Sequence, residues 1–124
     1  MRHPTALAIA TLVFTACASG PQEGARMNAD RISRVEIEEA GPSSAYDLIQ
    51  KVRPIWLRKR GQTSFTQEGD VSVYLDGVRL GERESLRDVS TVSLESLEYI
   101  DAGRATNRFG AGHVNGAILL RTRG

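Results

Sequence analysis

One cysteine, Cys17, among 124 residues rules out an intramolecular disulfide framework. Of the two histidines, only His113 lies beyond the first 16 residues, and no HExxH spacing surrounds it, so a metal centre has little to build on. No GxSxG nucleophile elbow is present either. Trp, Tyr and Phe together make up 6% of the chain, too few for a base-stacking platform. The net charge is +1 with both signs mixed along the sequence, so the basic footprint of a nucleic-acid binder is missing and no nucleic-acid partner is expected. No apolar run approaches the roughly 20 residues a membrane-spanning helix requires. What remains is 40% hydrophobic and 25% charged, an ordinary balance for one small globular domain. A domain of this size buries about two thirds of its unfolded surface, enough for one modest core but not for a large enclosed cavity with a lid.

Residues 1–16 read as an address. Arg2 and His3 give a short basic start, Ala6 to Ala16 form a largely apolar run, and small residues then precede Cys17, the order of a secretory signal. Phe14-Thr15-Ala16-Cys17 resembles the lipobox of bacterial lipoproteins, with Phe14 departing from the usual Leu. The resemblance implies lipidation of Cys17 as the first residue of the mature chain, with three acyl chains. Two or more chains anchor stably, at about 0.8 kcal/mol per buried methylene. A plain secretory signal, or a short buried N-terminal helix with an inert thiol, is the alternative. Ala18 after the cysteine, in place of Asp, resembles outer-membrane sorting. Loss of Arg2 with the signal leaves 15 basic and 15 acidic side chains. The lipid, not charge, would then hold the protein on the membrane. Residues 17–30 (CASGPQEGARMNAD) show no helix or strand period and read as a flexible tether with a reach of about 20 Å.

From residue 31 to residue 124 the pattern is that of a small α+β domain. RISRVEIEEA suggests a short strand or turn leading into a short helix that ends at Gly41. Ser43 or Ser44 can cap a second helix with Asp47 in its first turn, Ala45, Leu48, Ile49 and Val52 at helical spacing, and Pro54 ending it. Trp56 and Leu57 are expected to close over that helix. Val71, Val73 and Leu75 alternate with polar or amphipathic positions, which predicts a strand with one apolar face. Asp76-Gly77 is a strong hairpin-turn signal. Leu86 and Val89 point inward from a short helix or turn, and SLEYI makes a second strand. Ala105 and Phe109 share a face of a short helix that begins near Gly103. AILLRT, apolar on both sides, predicts a central strand. The expected sheet is mixed, with three to four strands.

In this order the motifs resemble the plug domain of TonB-dependent receptors. That family has an apolar strand closed by Asp-Gly, matched by Asp76 and Gly77. An I-x-x-I-E-V segment follows, matched by Leu94, Leu97, Glu98 and Tyr99. A G-x-x-A-x-x-Y/F-G helix is matched by Gly103, Ala105, Phe109 and Gly110. A glycine turn and final strand are matched by Gly112, Gly116, Ala117, Ile118 and Leu120. The resemblance implies a plug fold in a cell-envelope setting. In a receptor, a barrel of about 22 strands follows the plug. Here the sequence stops at Gly124, so the expectation is a plug-like domain without transport of its own. No TonB-box segment is recognised near Cys17.

Chemical candidates are few. The GAGHVNG segment with Gly110, Gly112 and Gly116 looks superficially like a dinucleotide fingerprint. It precedes a strand instead of following one, so a tight turn needing positive φ is the better reading. His113 is expected to face solvent from that turn. Asp76 is expected to accept hydrogen bonds from its own turn's amides, and Glu36, Glu38 and Glu39 to lie on a solvated face. Lys51, Arg53, Arg58, Lys59 and Arg60 form a basic cluster that, with Trp56, could touch lipid headgroups or envelope glycans. The functional expectation is a non-catalytic, cofactor-free outer-membrane lipoprotein. It would bind another envelope protein through a sheet edge or through the loops around Asp76-Gly77 and Phe109 to Gly116. A ligand- or glycan-binding lipoprotein is the first alternative, and a hydrolase or metal enzyme centred on His113 the second.

Overall fold

The computed structural model describes residues 29–58 and 69–124. Over these residues the chain is an α+β domain built on one mixed five-stranded sheet. The strands are β1 (Arg31–Ile32), β2 (Ser72–Leu75), β3 (Val78–Glu82), β4 (Leu94–Ile100) and β5 (Ala117–Thr122), in the spatial order β1-β4-β5-β2-β3. The β2–β5 pair is parallel and the other three pairs are antiparallel. The sheet thus has one strand more than the upper end of the sequence expectation. Strand β1, two residues long, resolves the choice between strand and turn that the sequence left open at Arg31.

Helix α1 (Arg34–Ala40) starts at Ser33, whose hydroxyl accepts from the Glu36 N–H while the Glu36 carboxylate accepts from the Ser33 N–H at 2.9 Å. This reciprocal capping box satisfies two otherwise orphaned amides. Gly41, at φ 83°, ends the helix. Helix α2 (Ala45–Val52) starts at Ser44, which accepts from the Asp47 N–H, and turns Ala45, Leu48 and Ile49 inward. Pro54 cannot continue α2 and instead opens a 3-10 turn, Pro54–Leu57, that buries Trp56 and Leu57. Two further 3-10 turns, Arg83–Asp88 and Thr91–Ser93, link β3 to β4.

These elements cover one face of the sheet. Their core gathers Ile32, Ile37, Leu48, Ile49, Trp56, Val73, Leu86, Leu94, Leu97, Ile118 and Leu120, all buried. Removing each such side chain from water is worth about 1.5–3 kcal/mol. Among the described residues, helix α3 (Ala102–Phe109) is the one helix on the other face, where Tyr74, Ile100, Ala105 and Ala117 form a second, smaller cluster with Phe109 and Leu119 at its margin. Strand β2 therefore departs from the one-sided expectation: Ser72 and Tyr74 are buried as well as Val71 and Val73, because α3 closes over the face left to solvent by the alternation reading. Strand β5 is central, between β4 and β2, as its two-sided apolarity requires.

The outer side of β4 beyond the short β1 is closed by a side chain. The Arg34 guanidinium donates to the Leu94 carbonyl at 2.8 Å and pairs with Glu38 at 2.8 Å. The fold also reaches back to Ala29 and Asp30, the last residues of the segment read as a tether. The Trp56 indole donates to the Ala29 carbonyl and the Tyr99 N–H to the Asp30 carbonyl, at 3.2 and 2.8 Å.

Candidate functional site

The glycine-rich loop between α3 and β5 is the most constrained part of the molecule. Helix α3 is capped by Asp101, which accepts from the Arg104 N–H and pairs with its guanidinium, both at 2.9 Å. The Arg104 amide and then its guanidinium hold the Asp101 carboxyl below the usual carboxylate range. Gly103 sits in the first turn of α3, and Ala105 and Phe109 face the sheet from it. The Phe109 ring stacks on Tyr74 with centroids 3.9 Å apart and planes 12° from parallel. Gly110 ends the helix at φ 93°, and its carbonyl accepts from His113 Nδ1 at 2.8 Å. His113 Nε2 faces the Tyr74 hydroxyl at 2.7 Å.

His113 is therefore not the solvent-facing residue expected from the sequence: it is buried, with both ring nitrogens engaged. The physical reason is Tyr74, a β2 residue that the alternation reading assigns to the outer face and that α3 and the loop enclose. Because a carbonyl can only accept, Nδ1 carries the proton in the neutral ring and Nε2 accepts from the Tyr74 hydroxyl. A ring so held is a structural clasp between loop and sheet.

Gly112, at φ 97°, has open space around it and needs glycine for its backbone alone. Gly116 needs glycine twice. Its φ is 78°, and a Cβ there would run into the Ile100 carbonyl and the Tyr99 hydroxyl. That hydroxyl donates to the Asn115 carbonyl at 3.1 Å, and the Asn115 amide donates to the Gly69 carbonyl.

Asp76 and Gly77 lie at the other end of β2. With φ 48° and 87° they form the primed two-residue turn that suits a twisted hairpin. The Asp76 carboxylate does not serve its own turn as expected. It accepts from the Thr122 hydroxyl at 2.6 Å and the Thr122 N–H at 3.0 Å, tying the hairpin to the end of β5. These two bonds, the hydroxyl's first, lower the Asp76 pKa. The turn and the glycine loop are separated by the length of β2, about 13 Å for four residues. The sequence-predicted motif residues therefore frame the sheet at both ends and do not converge on one centre.

The basic cluster is divided. Arg53 bonds the Glu36 carboxylate at 2.8 Å, so Glu36 belongs to a half-buried pair and not to a solvated face. Burial raises the Glu36 pKa, but hydrogen bonds from the Ser33 amide and from Arg53 outweigh it, and the net direction is downward. Arg58 is exposed, while Lys59, Arg60 and Cys17 lie outside the described residues. Trp56 is core: it is 2% exposed and stacked near Tyr99, which leaves no ring face for a ligand. Among the described residues, no group of three or more His, Cys, Asp or Glu side chains is placed to hold a metal ion, and no helix is long and apolar enough to cross a membrane.

Two surface features escape the sequence reading. One is a shallow groove of about 170 Å³ between α1 and the Thr91–Ser93 turn, lined by Arg34, Ile37, Glu38, Gly41, Pro42, Thr91 and Val92. The other is β3. It is the last strand of the sheet on its side, and Val78 and Leu80 are 67% and 41% exposed on it. The sequence signals the Asp76-Gly77 turn and a brief continuation over Val78 to Leu80, but five residues of which two are apolar do not announce an edge. No family model matches the chain, and neither the curated proteins nor the solved structures provide a match.

Proposed function

We propose that the protein is a lipid-anchored envelope protein whose plug-like domain is a non-catalytic protein-interaction module, with β3 as its contact edge. The observation that carries this reading is that edge: among the described residues, a strand unpaired on one side with two exposed apolar side chains, the arrangement that strand addition by a partner uses. The lipobox-like segment at Cys17 and the order of plug-like motifs supply the envelope setting. The chain reaches the fold at Ala29 and Asp30, beside β4 and β1, at the opposite side of the sheet from β3. Four strand spacings, about 19 Å, separate the two edges, so an anchored domain would offer β3 away from its attachment.

The test is site-specific photocrosslinking of the full-length chain in intact bacteria. A photoreactive residue at Val78 is expected to give a discrete protein adduct, whereas one at Val35, exposed on α1, gives none. Equal labelling from the two sites, or none from either, would overturn the reading. Cys17→Ala is expected to move the protein from the membrane fraction to the soluble one; retention in the membrane would remove the anchor.

A further inference from the structure

Strand β3 carries an irregularity that gives its edge a self-complementary charge pattern. Tyr74 pairs with Arg79 and Val73 with Gly81, so Leu80 is an extra residue, a bulge. In a regular strand, positions 79 and 82 would point to opposite faces. Here Arg79 stands opposite Tyr74 and Glu82 opposite Ser72, two residues apart on β2, so both lie on the face that α3 covers. Arg79 and Glu82 are both exposed, and neither forms an ion pair among the described residues.

We propose that β3 pairs antiparallel with β3 of a second copy of this chain about a two-fold axis between Leu80 and Gly81. This inference rests on the reading of β3 as the contact edge. In that register Arg79 of each copy stands opposite Glu82 of the other, on the same face, and the two ion pairs are equivalent by symmetry. Leu80 of each copy meets Gly81 of the other, beside the Ser85 side chain that lies over that glycine. Val78 and Leu80, now exposed, become covered at the seam. The Glu82 carbonyl accepts from the Ser85 hydroxyl at 2.6 Å and keeps a second lone pair for the ladder. The product is one continuous sheet of two joined halves. The α1–α2 layers of both copies lie on one side, both α3 helices lie on the other, and the two N-terminal segments leave from the outer edges.

Regular strands favour other partners equally well; opposite charges three apart on one face favour a copy of the same strand run backwards. Within β3, any other antiparallel registry brings Arg79 opposite an uncharged residue or an arginine.

The experiment is sedimentation of the full-length protein in detergent across a concentration series, with three variants. The wild type is expected to dimerise. Arg79→Glu sets carboxylates against carboxylates and Glu82→Arg sets guanidinium groups against one another, so each weakens dimerisation by about tenfold or more. The double variant Arg79→Glu/Glu82→Arg restores the alternation and recovers most of the wild-type affinity. Circular dichroism is expected to be unchanged in all three, because both side chains lie on the surface. A wild type that stays monomeric throughout, single variants that dimerise as well as wild type, or a double variant as weak as the singles would overturn the proposal. A monomer that still gives a Val78 adduct with a different envelope protein sinks self-pairing and leaves the contact edge standing; absence of both sinks the two together.

Discussion

The two faces of the sheet are held in different ways. One is sealed by α1, α2 and the 3-10 turns over a broad apolar core, in which most side chains are aliphatic and make no directional bonds. The other has a single eight-residue helix, four buried apolar residues, and specific contacts in the Tyr74–Phe109 stack and the His113 clasp. The thick side derives its stability from area. The thin side, with little area available, depends on geometry. Substitutions that remove volume should therefore dominate on the first, and substitutions that alter shape or a single bond on the second.

The largest effect expected is from Leu97→Ala in the thick core, a loss of about 2–5 kcal/mol in urea unfolding followed by circular dichroism. A loss below 1 kcal/mol, on the order of a surface change, would mean the thick core is not where the stability resides. Next comes Gly116→Ala in the glycine loop that leads from α3 into β5. One methyl group there opposes a positive φ and collides with the Ile100 carbonyl, and it should cost about 2–3 kcal/mol despite adding apolar surface. If Gly116→Ala were neutral, the distinction between area and geometry would fail. Tyr74→Phe preserves the ring stack but leaves His113 Nε2 without its hydroxyl, which should cost about 1–2 kcal/mol and loosen the loop in amide exchange before it affects β5.

The smallest effect concerns pH and belongs to the thick side's outer layer. The Glu36 carboxyl titrates below its ordinary range in the folded chain, so the capping box and the Arg53 pair contribute fully above the unfolded carboxylate pKa of about 4.3. That contribution is lost as pH falls through the lowered folded value. Between about pH 5 and pH 3 the urea midpoint should fall, and Glu36→Gln should reduce this slope relative to wild type. An unchanged slope in Glu36→Gln would assign acid sensitivity to Asp76 and Asp101, whose carboxyls are also lowered.

Local signals in the sequence were sufficient wherever the governing interaction was local. Ser44 with Asp47, Pro54 after Val52, the Asp76-Gly77 turn and the Ala105–Phe109 helix face all follow from neighbours within four residues. The readings that changed are those in which the partner lies far along the chain. Tyr74, 39 residues away, accounts for the burial of His113, and Thr122, 46 residues away, takes up the Asp76 carboxylate. Arg34 closes the edge of β4 from 60 residues away. Period and propensity say nothing about such pairs. The β3 bulge is similarly silent, because it is defined by the strand opposite, not by the residues within it.

The attachment at Ala29 and Asp30 has a mechanical consequence. Tension arriving from the N-terminal side meets the Trp56 indole bond, the Tyr99 amide bond and a two-residue strand ahead of the longer strands of the sheet. Were these contacts to yield while Arg34 kept its bond to Leu94, the chain before β1 would lengthen by a few residues and the sheet behind it would stay whole. In the lipid-anchored chain proposed above, the first strand would act as a shock absorber in series with the rest of the domain.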